Sequence, residues 1–166
     1  MLIGFDSETQ QDVNEFNEFL TKIKTAFPEI NFMLMISTFI PKAQTPFERM
    51  TQENSISIEN KKRLIKETCD NLNITSVFSN PKWDFVQSLL SRGDRRLTNL
   101  LLQVHKLKGS INSWKPAYNS IKNTFNLPKD LDWFVYRQRE NDEILGWDII
   151  NLKPQNPSQI STPSIK

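Results

Sequence analysis

A single cysteine, Cys69, is all the thiol chemistry this 166-residue chain contains. It excludes an intramolecular disulfide, and it falls short of the three or four thiolates that an iron–sulfur cluster or a structural zinc site takes. Thiol use of this kind reads as cytosolic. Histidine is as scarce: His105 stands beside Val104 with no second histidine to share a metal, and is expected to be packed or exposed. No apolar run approaches the roughly 20 residues needed to span a bilayer. Met1-Leu2-Ile3-Gly4 lacks the charged flank and the length of a signal peptide. A soluble, cytoplasmic protein is expected. Charge of one sign is missing too, since 21 Lys and Arg face 19 Asp and Glu, a formal net charge of +2. That excess is too small to argue for nucleic acid. A local basic cluster stands at Arg92, Arg95 and Arg96.

What is present is ordinary for a globular protein: 37% hydrophobic and 24% charged residues. Met1-Leu2-Ile3 reads as the end of a buried strand entering a loop at Gly4. Thr9 with Asp12 suits a helix cap, and Val13, Phe16, Leu20, Ile23 and Phe27 then recur on one helical face until Pro28. The near-continuous apolar run from Ile30 to Ser37 fits a strand buried on both faces, as in parallel sheets. Strand, helix and strand make a βαβ unit, whose ligands gather at the C-terminal strand ends. Those ends are Gly4 to Ser7 and Ser37 to Gln44. A helix capped by Ser57 carries Leu64, Ile65, Thr68 and Leu72 inward and ends at Asn73, and a short strand follows at Ile74 to Phe78.

Beyond Pro81 the chain turns helical, with Trp83, Val86, Leu89 and Leu90 forming a patch and Arg92-Gly93-Asp94-Arg95-Arg96 kinking the helix. Leu97 to Leu107 continues it to Gly109, and shorter helices are expected around Lys115 to Thr124 and Leu131 to Arg139. Residues 1–80 are thus an α/β portion, 81–152 an α-helical extension, and 153–166 a polar, Pro-rich tail expected to be disordered.

Three groups of segments, in order, resemble the radical SAM family, in particular its cobalamin-domain-containing members. Ile3-Gly4-Phe5-Asp6-Ser7-Glu8-Thr9 with Asp12-Val13 is similar to that family's I-x-G-x-P-x-E-T…D-V turn. Ser37-Thr38-Phe39-Ile40-Pro41-Lys42-Ala43-Gln44-Thr45-Pro46-Phe47 looks like its S-x-F-[VI]-P-K-x-x-T-P-F strand end. Ser91-Arg92-Gly93-Asp94-Arg95-Arg96-Leu97, with Glu143 and Trp147-Asp148-Ile149-Ile150, resembles its S-R-G-D-R-R-L and D-E-x-L-P-W-D-x-I segments. Asp6 and Gly146 stand where that family has proline.

The resemblance implies the C-terminal strands and helices of a partial (β/α) radical SAM barrel, starting within its fifth strand, followed by a helical extension. It implies S-adenosylmethionine, a [4Fe–4S] cluster and, in this group, cobalamin as cofactors of the complete enzyme. The C-x-x-x-C-x-x-C loop that holds the cluster has no counterpart here, so no catalytic residue and no metal ligand is assigned. A separately encoded N-terminal half carrying the cluster is the implied partner, and the chain alone is expected to be inactive. Gly4, Ser37, Phe39 and Ile40 would border the cofactor's adenine.

Lys42 is a candidate to meet a carboxylate of substrate or cofactor, and Arg92, Arg95 and Arg96 are candidates to grip an anionic group, because guanidinium forks match carboxylate and phosphate. Against that stands a structural network in which Asp94 accepts from a neighbouring arginine and holds the helix kink. Cys69 reads as a buried structural thiol. Trp147, Trp133 and Trp114 read as packing anchors. A non-catalytic binding or scaffold module, docking a partner through its sheet edge or its arginine cluster, is the rival reading.

Overall fold

In a computed structural model, which describes residues 1–5 and 7–150, the chain packs as two units. One comprises Met1–Ile40 and Thr51–Ser88, the other Pro41–Met50 and the chain from Leu89 onward. This division cuts across the boundary at residue 80 drawn from the sequence. The segment after Ile40 belongs with the helical part because its side chains are spent there. Trp147 Nε1 donates to Glu48 at 2.7 Å, and Arg49 donates to the carbonyls of Glu140 and Glu143. Asp6 and the tail expected to be disordered lie outside the described residues.

The first unit runs β1 (Leu2–Ile3), α1 (Gln10–Ala26), β2 (Met33–Thr38), α2 (Ser55–Asn71), β3 (Thr75–Phe78). Helix α1 starts at a reciprocal cap: Thr9 Oγ1 accepts from the Asp12 N–H while the Asp12 carboxylate accepts from the Thr9 N–H. Helix α2 is capped by Asn54, not by Ser57. The Asn54 side chain takes the Ser57 N–H at 2.9 Å, and the Ser57 hydroxyl turns to Glu53 instead. Asn73, in the left-handed region at φ 53°, ends α2.

The strands lie parallel in the order β1-β2-β3, with Leu2 opposite Ser37 and Met35 opposite Val77. Ile3, Val13, Leu20, Ile36, Ile58, Ile65, Cys69 and Ile74 form the core between the sheet and its two helices. The α/β class therefore holds, as a small open sheet of three strands; no barrel is formed by it.

The expectation that β2 is buried on both faces fails. The strand begins only at Met33, because Ile30 is held in a turn by its N–H to Phe27 O, and Met33 and Met35 are 61% and 66% exposed. The core side chains of α1 and α2 pack on the Ile3–Ile36 face, so the alternate residues Leu2, Met33, Met35 and Val77 stand bare.

The second unit takes in the end of α3 (Pro81–Arg92), then α4 (Leu97–Lys106), a 3-10 turn at Ile111–Ser113, α5 (Trp114–Ile121) and α6 (Asp132–Tyr136). Leu97, Leu100 and Val104 of α4 are buried, as are Trp114, Ala117, Tyr118 and Ile121 of α5 and Phe134 and Val135 of α6. The last two helices are shorter than their periodicity suggests. Arg137 turns extended, and Tyr118 holds the loop between them by donating to Pro128 O at 2.7 Å. Between α3 and α4 the chain bends at Gly93, where a side chain would sit 2.0 Å from Leu97 Cδ1 and 2.8 Å from the Leu89 carbonyl. Trp114 and Trp147 are buried. Trp133 is 37% exposed, with the Arg137 guanidinium 4.2 Å over its ring, and so is no core anchor.

Candidate functional site

The C-terminal ends of the three strands carry two buried polar clusters, both built on α2. Ile58, Lys61, Lys62, Ile65 and Cys69 fall at helical spacing on its inner face, so two adjacent lysines replace apolar residues in a core stripe. Lys61 points to the end of β1. Its ammonium lies 2.8 Å from Glu8 and 2.9 Å from Glu53 and donates to Glu8 O, while Glu8 also accepts the Gly4 N–H at 3.2 Å. Burial disfavours this charge, but the hydrogen bonds and charges of Glu8 and Glu53 outweigh it and hold the ammonium above its ordinary pKa.

Lys62 points to the ends of β2 and β3. It donates to Ser79 O at 3.1 Å with Asp84 3.7 Å away. Asp84, buried in the first turn of α3, accepts the hydroxyls of Thr38 at 2.7 Å and Ser79 at 2.6 Å. The two clusters thus pin the strand ends to one helix.

Of the residues expected to border a cofactor, Gly4, Ser37 and Phe39 do meet at one sheet end. Phe39 N–H bonds Ile3 O at 2.7 Å, and its ring stacks at 4.8 Å on Phe5; Ser37 is exposed and Ile40 buried. Gly4 is required for a reason internal to the chain. Its φ is +90°, and a Cβ there would lie 2.3 Å from Ile58 Cδ1 and 3.2 Å from Glu53 Oε2. Gly4→Ala is therefore expected to cost about 2–3 kcal/mol, part backbone strain and part overlap. Urea unfolding reads this. Ile58→Val, which deletes the clashing Cδ1, should be neutral or stabilising in the Gly4→Ala background while destabilising the native chain.

The four cationic candidates do not converge as free forks. Lys42 donates to Ser91 Oγ at 2.9 Å, and burial lowers its pKa. Arg92 is 1% exposed, and its guanidinium is consumed by the carbonyls of Met50, Phe134 and Arg137. Arg96 grips Asp94 at 2.7 Å at the α3–α4 bend, and Arg95 is exposed. Asp94 thus serves the arginine network at the kink.

Sequence reasoning missed Glu8, Glu53, Lys61, Lys62 and Asp84. The signal for the lysines was their phase with Ile58 and Ile65 on α2. Chemically, the clusters position backbone rather than activate a nucleophile, since Ser79 meets a carboxylate with no histidine between them. Cys69 is fully buried with its thiol pKa raised by that burial, the opposite of a reactive thiol. Among the described residues, no three His, Cys, Asp or Glu side chains are grouped to hold a metal ion, and no helix is long and apolar enough to cross a membrane. Comparison with known proteins finds no matching family model, curated protein or solved structure.

Proposed function

We propose that this chain supplies C-terminal β/α units and a helical extension to a radical SAM barrel of the cobalamin-domain-containing group, and works in the cytoplasm only when joined to an N-terminal half. The observation that carries the reading is the one-sided sheet. Parallel strands in sequential order are backed by helices on one face, as in a barrel wall. The other face, where a barrel would place its interior, presents Leu2, Met33, Met35 and Val77 to solvent. The segments that resemble the family's cofactor-bordering turns, at Gly4 and at Ser37 to Ile40, follow paired strands at the C-terminal edge.

Cys69 cannot hold a [4Fe–4S] cluster: it is one thiol, sealed in the α2 core. The partner half would have to bring the cluster, and with it any cobalamin. The radical chemistry on S-adenosylmethionine would be the complex's. This chain's part would be to close the wall beside the cofactor with Gly4, Ser37, Phe39 and Ile40.

The test is anaerobic isolation of the tagged chain from its own cells. The expected product is a stoichiometric complex with a chain bearing C-x-x-x-C-x-x-C, containing iron and sulfide and releasing 5′-deoxyadenosine from S-adenosylmethionine on reduction. Met35→Glu, at an exposed position, should abolish that assembly while leaving the isolated chain's unfolding unchanged. A soluble monomer with no iron-bearing partner, indifferent to Met35→Glu, would overturn the proposal and favour the non-catalytic module.

A further inference from the structure

Where the chain leaves β3 it borders a cleft of about 310 Å³. Lys62 and Arg63 line it from adjacent positions of α2 and Lys66 from the next turn, Glu59 supplies a carboxylate, and Phe78, Ser79 and Pro81 complete it. The volume is at the low end for small-molecule sites.

Lys62 is the anchor. Its side chain is 8% exposed, yet its ammonium, with three N–H donors, makes one hydrogen bond among the described residues, to Ser79 O at 3.1 Å. Asp84 at 3.7 Å and Glu59 at 3.8 Å lie beyond hydrogen-bond distance. Asp84 Oδ2 already takes the Thr38 and Ser79 hydroxyls. The ammonium is thus ion-paired to two carboxylates and still holds N–H donors that an oxyanion in the cleft can take.

Arg63 and Lys66 are paired to Glu67 at 2.9 Å and Asp70 at 2.6 Å, but these side chains are more than half exposed. Pairs of that kind are weak and readily exchanged for a better acceptor. Phe78 and Pro81 offer an apolar wall beside the three cations.

We infer that this cleft binds a small phosphomonoester, its phosphate taken by Lys62, Arg63 and Lys66 and its apolar body laid against Phe78 and Pro81. Three cations along one stretch of α2 suit a doubly charged group with three oxygens better than a single carboxylate. The inference stands apart from the radical SAM reading, since the cleft uses none of the residues carrying that resemblance.

The experiment is an amide NMR titration of the full chain with phenyl phosphate, inorganic phosphate and phenylacetate in turn. Saturable shifts are expected at Lys62, Arg63, Lys66 and Ser79, with phenyl phosphate bound most tightly. The exposed pair Arg63→Gln/Lys66→Gln should keep the fold and weaken binding by about tenfold or more, as loss of charged hydrogen bonds implies. Lys62→Gln should weaken it further; if that variant fails to fold, the Arg63/Lys66 pair alone decides. Unsaturated shifts spread over unrelated lysines, binding indifferent to the paired substitution, or phenylacetate bound as tightly as phenyl phosphate would each overturn the proposal.

Discussion

Replacing Arg92 by methionine is expected to cost about 3–5 kcal/mol of stability, because it strands three carbonyls that its guanidinium now satisfies. Arg92 ends α3 almost completely buried, and its guanidinium reaches three carbonyls on two other stretches of chain: Nε to Phe134 O at 2.9 Å, Nη1 to Met50 O and Nη2 to Arg137 O. Its own carbonyl is taken by Arg139, and Arg139 in turn bonds Glu143 at 3.2 Å. Burial, then the charges of Arg139 and Arg137, press the Arg92 pKa down to about 10, with Glu143 opposing them. Among the described residues the charge is thus held by carbonyl dipoles and not by a salt bridge.

Methionine keeps much of the alkyl volume, so the loss should report the carbonyls rather than a cavity. Lysine, a point donor on a different stem, should recover less than half. Urea unfolding of Arg92→Met and Arg92→Lys checks this. A loss below about 1 kcal/mol would return Arg92 to the anion-binding role its neighbours in sequence suggest.

That clasp shows where sequence reading stops. The kink at Gly93 and the Asp94–Arg96 contact were legible, because both lie within a few residues and the side chains name their own partners. The Arg92 acceptors are main-chain oxygens of Met50, Phe134 and Arg137, which no residue type encodes. The same limit hid the α2 lysines. A Lys-Lys pair reads as solvated surface, and only its phase with Ile58 and Ile65 places it inside; its partners are Glu53 just before the α2 cap, Glu8 in the β1–α1 loop and Asp84 on α3.

Local signals did better where one group competes with no other. Thr9 with Asp12 marks the start of α1, and Asn73 the end of α2. At the start of α2 two cap formers stood three residues apart, and Asn54 prevailed over Ser57 by accepting the latter's N–H. The bare face of β2 is the more telling difference. Met33 and Met35 alternate with Leu34 and Ile36, so the apolar pattern calls for cover on two faces while α1 and α2 supply it on one. The proposal of a partner half grows from that mismatch.

Lys61→Met is expected to cost about 3–5 kcal/mol, the range for removing one partner from a buried ion pair. Glu8 and Glu53 lie within 3 Å of the same ammonium with side chains 14% and 19% exposed, so without it two largely buried carboxylates lose their shared counter-charge. Glu8 also holds the Gly4 N–H, and Glu53 the Ser57 hydroxyl at 2.5 Å, so the loss reaches the β1 turn and the start of α2 together. Glu53→Gln in the Lys61→Met background removes one of the two charges while keeping an acceptor for Ser57. It should return about 1 kcal/mol or more, a coupling that independent sites would not show.

The sign of the pH effect follows from the raised pKa of Lys61. A lysine whose folded value exceeds its unfolded one, about 10.4, contributes stability that is fully present below the unfolded value and lost as pH rises through the folded one. The gap in urea midpoint between the native chain and Lys61→Met should therefore stay constant from neutral pH to about pH 10 and narrow above it. A gap that persists unchanged into strong alkali would mean that the Lys61 stem, by its packing, and not its charge, holds the strand end to the helix.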